Sequence, residues 1–294
     1  MIEHQTYTLI DNQTGELAFK LYRFESIHHF DHIQRPNYYS LIWIQEGEGN
    51  AQIETEKYTY KLNSIFASTP YQPFMFQPKT TTKGVVINFH PNFFCIHKHQ
   101  TEVSCDGVLF NNVYEFPFFE INQDEQSTLQ LIFNEMEKDI QQNSLATNEA
   151  ILSYLKLFLI NCSRIKKRNY PEIQINETDD QERFVVQQLK NHIETNFKTL
   201  HSTKEYADLL HISPNTLTKL VKSLYNKTPS NMIAERIIIE AKRELYLTNK
   251  TIEEIAHELG YDDPFYFSRF FKKQTSISPA IYRKTVGFNK AASA

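Results

Sequence analysis

Two short runs carry side chains whose chemistry suits the edges and backbone of a nucleic acid. In the first, Asn215, Thr216, Thr218, Lys219 and Lys222 follow Ser213-Pro214; in the second, Phe265, Tyr266, Ser268, Arg269, Lys272 and Lys273 follow Asp263-Pro264. The amide of Asn215 matches the donor and acceptor of adenine, Lys219 matches guanine or a phosphate, and Lys222 is better placed on a phosphate. Arg269 is the leading candidate contact of the second run, and Phe265 could meet a thymine methyl. The bland alternative for each lone cation is a solvated surface charge. Other reactive groupings are weaker. His97-Lys98-His99 with Glu102 has a spacing that could suit a metal but lacks flanking glycines, and His28, His29 and His32 beside Asp31 read better as ordinary histidines. Cys95, Cys105 and Cys162 fit no zinc ribbon or C-x-x-C pair, so reduced, mostly buried thiols are expected. With seven glycines and neither G-x-G-x-x-G nor G-x-x-x-x-G-K, the common nucleotide-binding loops are excluded. No catalytic residue, metal or cofactor is assigned.

The two runs belong to an internal repeat within residues 202–283. Glu205-Tyr206-Ala207-Asp208-Leu209-Leu210 matches Glu254-Ile255-Ala256-His257-Glu258-Leu259 at an offset of 49. Beyond a turn, Leu217, Lys219, Val221, Lys222 and Pro229 match Phe267, Arg269, Phe271, Lys272 and Pro279 at an offset of 50. Each repeat reads as helix, turn, helix. Ser202 with Glu205 and Thr251 with Glu254 form capping boxes that start the first helices. Ala207 and Ala256 let the second helix cross closely. The turn needs an unusual backbone conformation, which Gly260 adopts freely and His211 only at a small steric cost. Ser213-Pro214 and Asp263-Pro264 then start the second helices, at 214–224 and 264–273. Leu217, Leu220, Val221 and Leu224, and Phe267, Phe270 and Phe271, form their buried stripes. A helix over 231–247 joins the repeats, and another over 183–197 precedes them.

This arrangement resembles the AraC/XylS family of bacterial transcription regulators. The second repeat carries the resemblance: Gly260-Tyr261, Tyr266-Phe267-Ser268-Arg269-Phe270-Phe271-Lys272-Lys273, Ser278-Pro279 and Tyr282-Arg283. Ser276 departs from it, standing where many members have glycine, so the turn after the second recognition helix is expected to be slightly strained. The resemblance implies a sequence-specific DNA-binding regulator, not an enzyme, with double-stranded DNA as its partner and RNA polymerase as a further candidate. In the family, the Arg269 position can grip phosphate rather than base. A rigid connector would set both recognition helices on one face of the duplex, in grooves about 34 Å apart, over a site of about 17 to 20 base pairs.

The remaining chain must position and control these repeats. Residues 1–182 hold 14 Lys plus Arg against 24 Asp plus Glu, a net of −10, and residues 183–294 carry +6, so the whole-chain −4 conceals an acidic part followed by a basic one. The polar stretch 170–181 reads as linker. Alternating apolar runs at 17–22, 39–45, 51–55, 58–62, 64–67 and 85–89, separated by turn residues, predict an antiparallel sandwich or barrel. Helices are expected over 124–142 and 148–164, the second apolar on more than one face and so able to pack on a second subunit. The expected fold class is α+β with two domains: a cupin-like sensing and dimerisation barrel with two helices at 1–165, a linker at 166–182, and an all-α DNA-binding domain at 183–294. The family resemblance supplies the cupin-like label. A small-molecule effector would lie inside the barrel, with Arg35 to hold a carboxylate or sugar hydroxyl and Tyr39 and Trp43 to stack on an apolar face. A barrel that only dimerises, and a remote metal-dependent cupin enzyme or metal sensor, stay open. Residues 1–10 show no secretory signal and the longest apolar run, 151–160, is half the length needed to span a bilayer, so no membrane and a cytoplasmic location are expected.

Overall fold

The computed structural model describes residues 6–11, 15, 17–26, 30–54, 56–96, 108–110, 116–142, 145–169, 181–225 and 227–286. They group into two compact units. The first holds strands β1 (Thr6–Ile10), β2 (Leu17–Phe24), β3 (Tyr39–Glu46), β4 (Gly49–Ile53), β5 (Glu56–Tyr60), β6 (Ser64–Ser68), β7 (Phe74–Pro78), β8 (Lys83–Phe89) and β9 (Phe118–Glu120), then helices α1 (Gln123–Gln142) and α2 (Thr147–Asn169). The second holds α3 (Gln181–Asn196), α4 (Thr203–Leu209), α5 (Pro214–Tyr225), α6 (Pro229–Leu247), α7 (Ile252–Glu258), α8 (Pro264–Thr275) and α9 (Pro279–Val286). Strands and helices thus segregate as an α+β chain with an antiparallel N-terminal unit and a helical C-terminal one.

The strands pair entirely antiparallel in two sheets, ordered β1-β2-β8-β3-β6-β9 and β5-β4-β7. The expected barrel is in this respect corrected: among the described residues no strand ladder joins the two sheets into a closed ring. Alternation along the central strands gives the larger sheet two buried faces. Phe19, Leu21, Leu41, Ile65, Val85 and Ile87 point to one face and form a core with Leu129, Phe133 and Met136 of α1 and Ile151, Leu155 and Phe158 of α2. Ile42, Phe66 and Val86 point to the other. There Phe66 meets Phe76 of the smaller sheet edge-on, ring centroids 5.1 Å apart, so rings fill the space between the sheets. Arg23 of β2 pins α1 through a 2.6 Å ion pair with Glu137. Cys95 and Cys162 are buried; Cys105 lies outside the described residues.

In the second unit, α6 is the spine. Its Ile233, Ile237, Ala241 and Leu245 are buried, and Met232 and Ile238 join them. Arg236 lies 3.9 Å from the centre of the Phe197 ring and donates to Glu194 at 2.8 Å, tying α6 to the end of α3. At the other end, Arg283 of α9 donates to the carbonyls of Leu245 and Lys250. Among the described residues no helix is long and apolar enough to cross a membrane.

Candidate nucleic-acid interface

Both repeats are built as their residues dictate. Ser202 and Glu205 close a capping box on α4, and Thr251 and Glu254 close one on α7. Their carboxyls sit below the ordinary 4.5, chiefly because Glu205 accepts from the Ser202 hydroxyl and Glu254 from the Thr251 backbone N–H. Ala207 and Ala256 are fully buried where the paired helices cross. The turns take the left-handed conformation at matching places, His211 with φ 54° and Gly260 with φ 79°. A side chain at Gly260 would stand 2.1 Å from the Lys198 carbonyl oxygen, so this turn also rests on the loop that precedes the first repeat. His201 of that loop stacks on Tyr261, centroids 4.6 Å apart and 26° between planes. The second repeat is therefore fastened to the loop that leads into the first, besides sharing α6. Ser276 ends α8 with φ 69°, the strained position foreseen for a residue that is not glycine.

The second helices α5 and α8 bury one stripe and present the other. Leu217 and Val221, and Phe267 and Phe271, are fully buried; Leu220, Leu224 and Phe270 are half-buried. Asn215, Thr216, Lys219 and Lys222 are exposed on α5, and Phe265, Tyr266, Arg269, Lys272 and Lys273 on α8. Thr218 and Ser268 are half-buried, and the Thr218 hydroxyl already donates to the Pro214 carbonyl at 2.8 Å. Ser213 caps α5 by accepting from the Thr216 N–H at 3.1 Å, while its hydroxyl and that of Thr216 lie 2.8 Å apart. Asp263 caps α8 by accepting from the Phe265 N–H at 2.8 Å, and Arg269 lies 3.6 Å from its other oxygen. Phe265 is 76% exposed, far beyond what a core role would leave.

The three effector candidates do not converge. Arg35 is exposed in a loop, whereas Tyr39 and Trp43 are buried in the core shared with α1 and α2, on the face turned away from the smaller sheet. They are packing residues, because strand alternation put them on one face and the helices cover that face. A different polar group lies between the sheets. Lys20, Asn88, Ser40 and Ser68 are register partners across β2, β8, β3 and β6 and so share a face; Asn88, Ser40 and Ser68 are buried. The Oδ1 of Asn88 is buried and has no hydrogen-bond partner among the described residues. Burial raises the phenols of Tyr22 and Tyr38, and the Tyr22 phenol oxygen accepts from the Asn88 amide. A polar residue interrupting an apolar run, as in Tyr39-Ser40-Leu41 or Ile87-Asn88-Phe89, was the available signal. His97, His99, Glu102, His28 and His29 lie outside the described residues, and among those described no three His, Cys, Asp or Glu side chains converge for a metal.

Comparison with known proteins places this geometry. The family described as a helix-turn-helix domain matches residues 206–285. The raffinose operon transcriptional regulatory protein RafR of Pediococcus pentosaceus is 30% identical over 97 residues, covering 33% of this chain and 35% of RafR. An HTH-type transcriptional regulator from the cgkA 5′ region of Pseudoalteromonas carrageenovora is 31% identical over 123 residues, covering 42% of this chain and 69% of that protein. The chain spans between 35% and 47% of the length of the first four curated relatives. The crystal structure of ToxT from Vibrio cholerae aligns over 97% of this chain and 98% of its own, with a TM-score of 0.40 and 16% identity. With the matched residues falling on both repeats, and two thirds of a regulator of the same kind covered, the chain belongs to the AraC-type family of helix-turn-helix transcriptional regulators.

Proposed function

We propose that the protein is a sequence-specific DNA-binding transcription regulator that inserts α5 and α8 into successive major grooves of one duplex. The observation that carries this reading is the pair of exposed polar and cationic helix faces, each on the second helix of a capped repeat and both fixed to one spine. Asn215 reads adenine and Lys219 guanine or phosphate, with Thr216 and Thr218 beside them; Phe265 meets a thymine methyl beside Tyr266 and Ser268; Lys222, Lys272 and Lys273 grip phosphates. Selection of bound duplexes from a random library is expected to recover a bipartite site of about 17 to 20 base pairs with half-sites about 34 Å apart. Arg269→Ala should weaken binding to it by about 5- to 150-fold, the worth of one good base contact. Failure to enrich any sequence, or unchanged affinity of Arg269→Ala in a gel-shift titration, overturns the assignment.

We infer that the N-terminal unit is the cupin-like part, and that it senses a small molecule and pairs two chains through α1 and α2. The Asn88 oxygen, which has no partner among the described residues and sits in a buried polar row between the sheets, supports sensing, since a buried acceptor without a partner calls for a ligand or water. Exposed Leu131 and Leu157 on the two helices support pairing. A shift in thermal stability with a member of a sugar, organic acid and lipid panel is expected; no shift with any of them favours a unit that only dimerises. RNA polymerase is the further partner an activator of this family would need.

A further inference from the structure

We propose that Asp263 is a positioning residue that makes Arg269 a reader of guanine rather than a grip on phosphate. The proposal rests on the reading of α8 as a groove-entering helix and adds to it which chemical group Arg269 selects, and why.

One carboxylate serves two partners here. The Oδ1 of Asp263 caps α8 by accepting from the Phe265 N–H at 2.8 Å, and its Oδ2 stands 3.6 Å from the Arg269 guanidinium. The guanidinium carbon lies 5.9 Å from the centre of the Tyr266 ring. Both Arg269 and Asp263 keep more than half of their side-chain surface open, at 69% and 52%, so a ligand can reach the pair. Held between a carboxylate and a ring, the long arginine loses part of its rotamer freedom before DNA arrives, and its head is drawn toward the first turn of α8, the part of a recognition helix that meets base edges.

Charge then decides what this head can accept. A phosphate oxygen approaching Arg269 meets the Asp263 anion beside it, and the two negative charges repel. The O6 and N7 of guanine carry no net charge and ask only for two parallel N–H donors, which a guanidinium with five donors can supply while one edge faces a carboxylate. The first repeat provides an internal contrast. Its cap, Ser213, is neutral, and Lys219, the counterpart of Arg269, makes no ion pair among the described residues. Lys219 is therefore open to phosphate, whereas Arg269 is biased toward a base.

The test uses the full chain and the duplex that wild type selects from a random library. Affinity is measured for that duplex, for versions with each G·C pair under α8 replaced, and for a scrambled duplex of equal length, across a salt series. Asp263→Asn keeps the capping oxygen without its charge, and Asp263→Ser installs the cap of the first repeat, so both preserve the start of α8. Wild type should discriminate against replacement of one G·C pair by about tenfold or more. Both variants should lose most of that discrimination, bind the scrambled duplex several-fold more tightly, and steepen the slope of log affinity against log salt by about one. Adding either substitution to Arg269→Ala should change base discrimination no further. Retained discrimination in the variants, or a further loss on top of Arg269→Ala, overturns the positioning role while leaving DNA reading intact. If wild type selects no sequence, both readings fall together.

Discussion

At the scale of single residues, the two capping boxes link local chemistry to the stability of the basic unit. Ser202 and Thr251 each satisfy a backbone donor that a helix start leaves open, and their glutamates answer with a second bond. Thr251→Ala should lower the unfolding free energy by about 0.5 to 2 kcal/mol in a urea titration. Because the Glu205 and Glu254 carboxyls are depressed in the folded chain, their contribution is whole above the ordinary 4.5 and disappears as pH falls through their lower folded values. Acid titration of the wild type should show stability falling in that window, with a shallower fall for Glu254→Gln. Glu240 adds to the same trend: burial pushes its carboxyl up, yet Arg236 and Arg243 together overcome burial and leave it below its ordinary value. These residues were legible in the sequence because a cap is a local device, complete within four positions. The site residues on α5 and α8 were legible for a related reason: once Leu217, Val221, Phe267 and Phe271 define the buried stripe, the outer face follows from helical spacing.

At the scale of elements, what the sequence conceals is whatever depends on a neighbour. β7 is short and bounded by Pro73 and Pro78, and β9 is three residues long, so neither carries a period long enough to mark it as a strand; each is paired by β4 or β6. Alternation puts Tyr39 and Trp43 on one face of β3, but alternation is symmetric and cannot say which face the helices will cover. The turn at Gly260 is the counterexample, where a tertiary contact left a mark in the sequence as a glycine. Gly260→Ala would force a side chain into a left-handed turn and against the Lys198 carbonyl, and should cost about 1 to 3 kcal/mol or more in chemical unfolding. His211→Gly at the matching turn should instead gain up to about 1 kcal/mol, since it relieves the backbone at φ 54°.

At the scale of the whole molecule, the separation of charge assigns the two halves different relations to DNA. The −10 part is repelled by phosphates and the +6 part is drawn to them, so binding should be salt-sensitive and specific rather than indiscriminate. The proposed pairing through α1 and α2 has a direct check: Leu131→Lys with Leu157→Lys should lower self-association in sedimentation equilibrium while leaving the fold intact, because both side chains are exposed. The contact between the Gly260 turn and the loop at Lys198, with the His201 ring lying against Tyr261, bears on the duplex as well. Reading heads fastened at two points cannot swivel to follow a straight helix of arbitrary pitch. Any misfit between their fixed separation and the groove repeat must be absorbed by the DNA, as bend or twist. Bases lying between the half-sites, touched by no side chain, would then be chosen for how readily they deform.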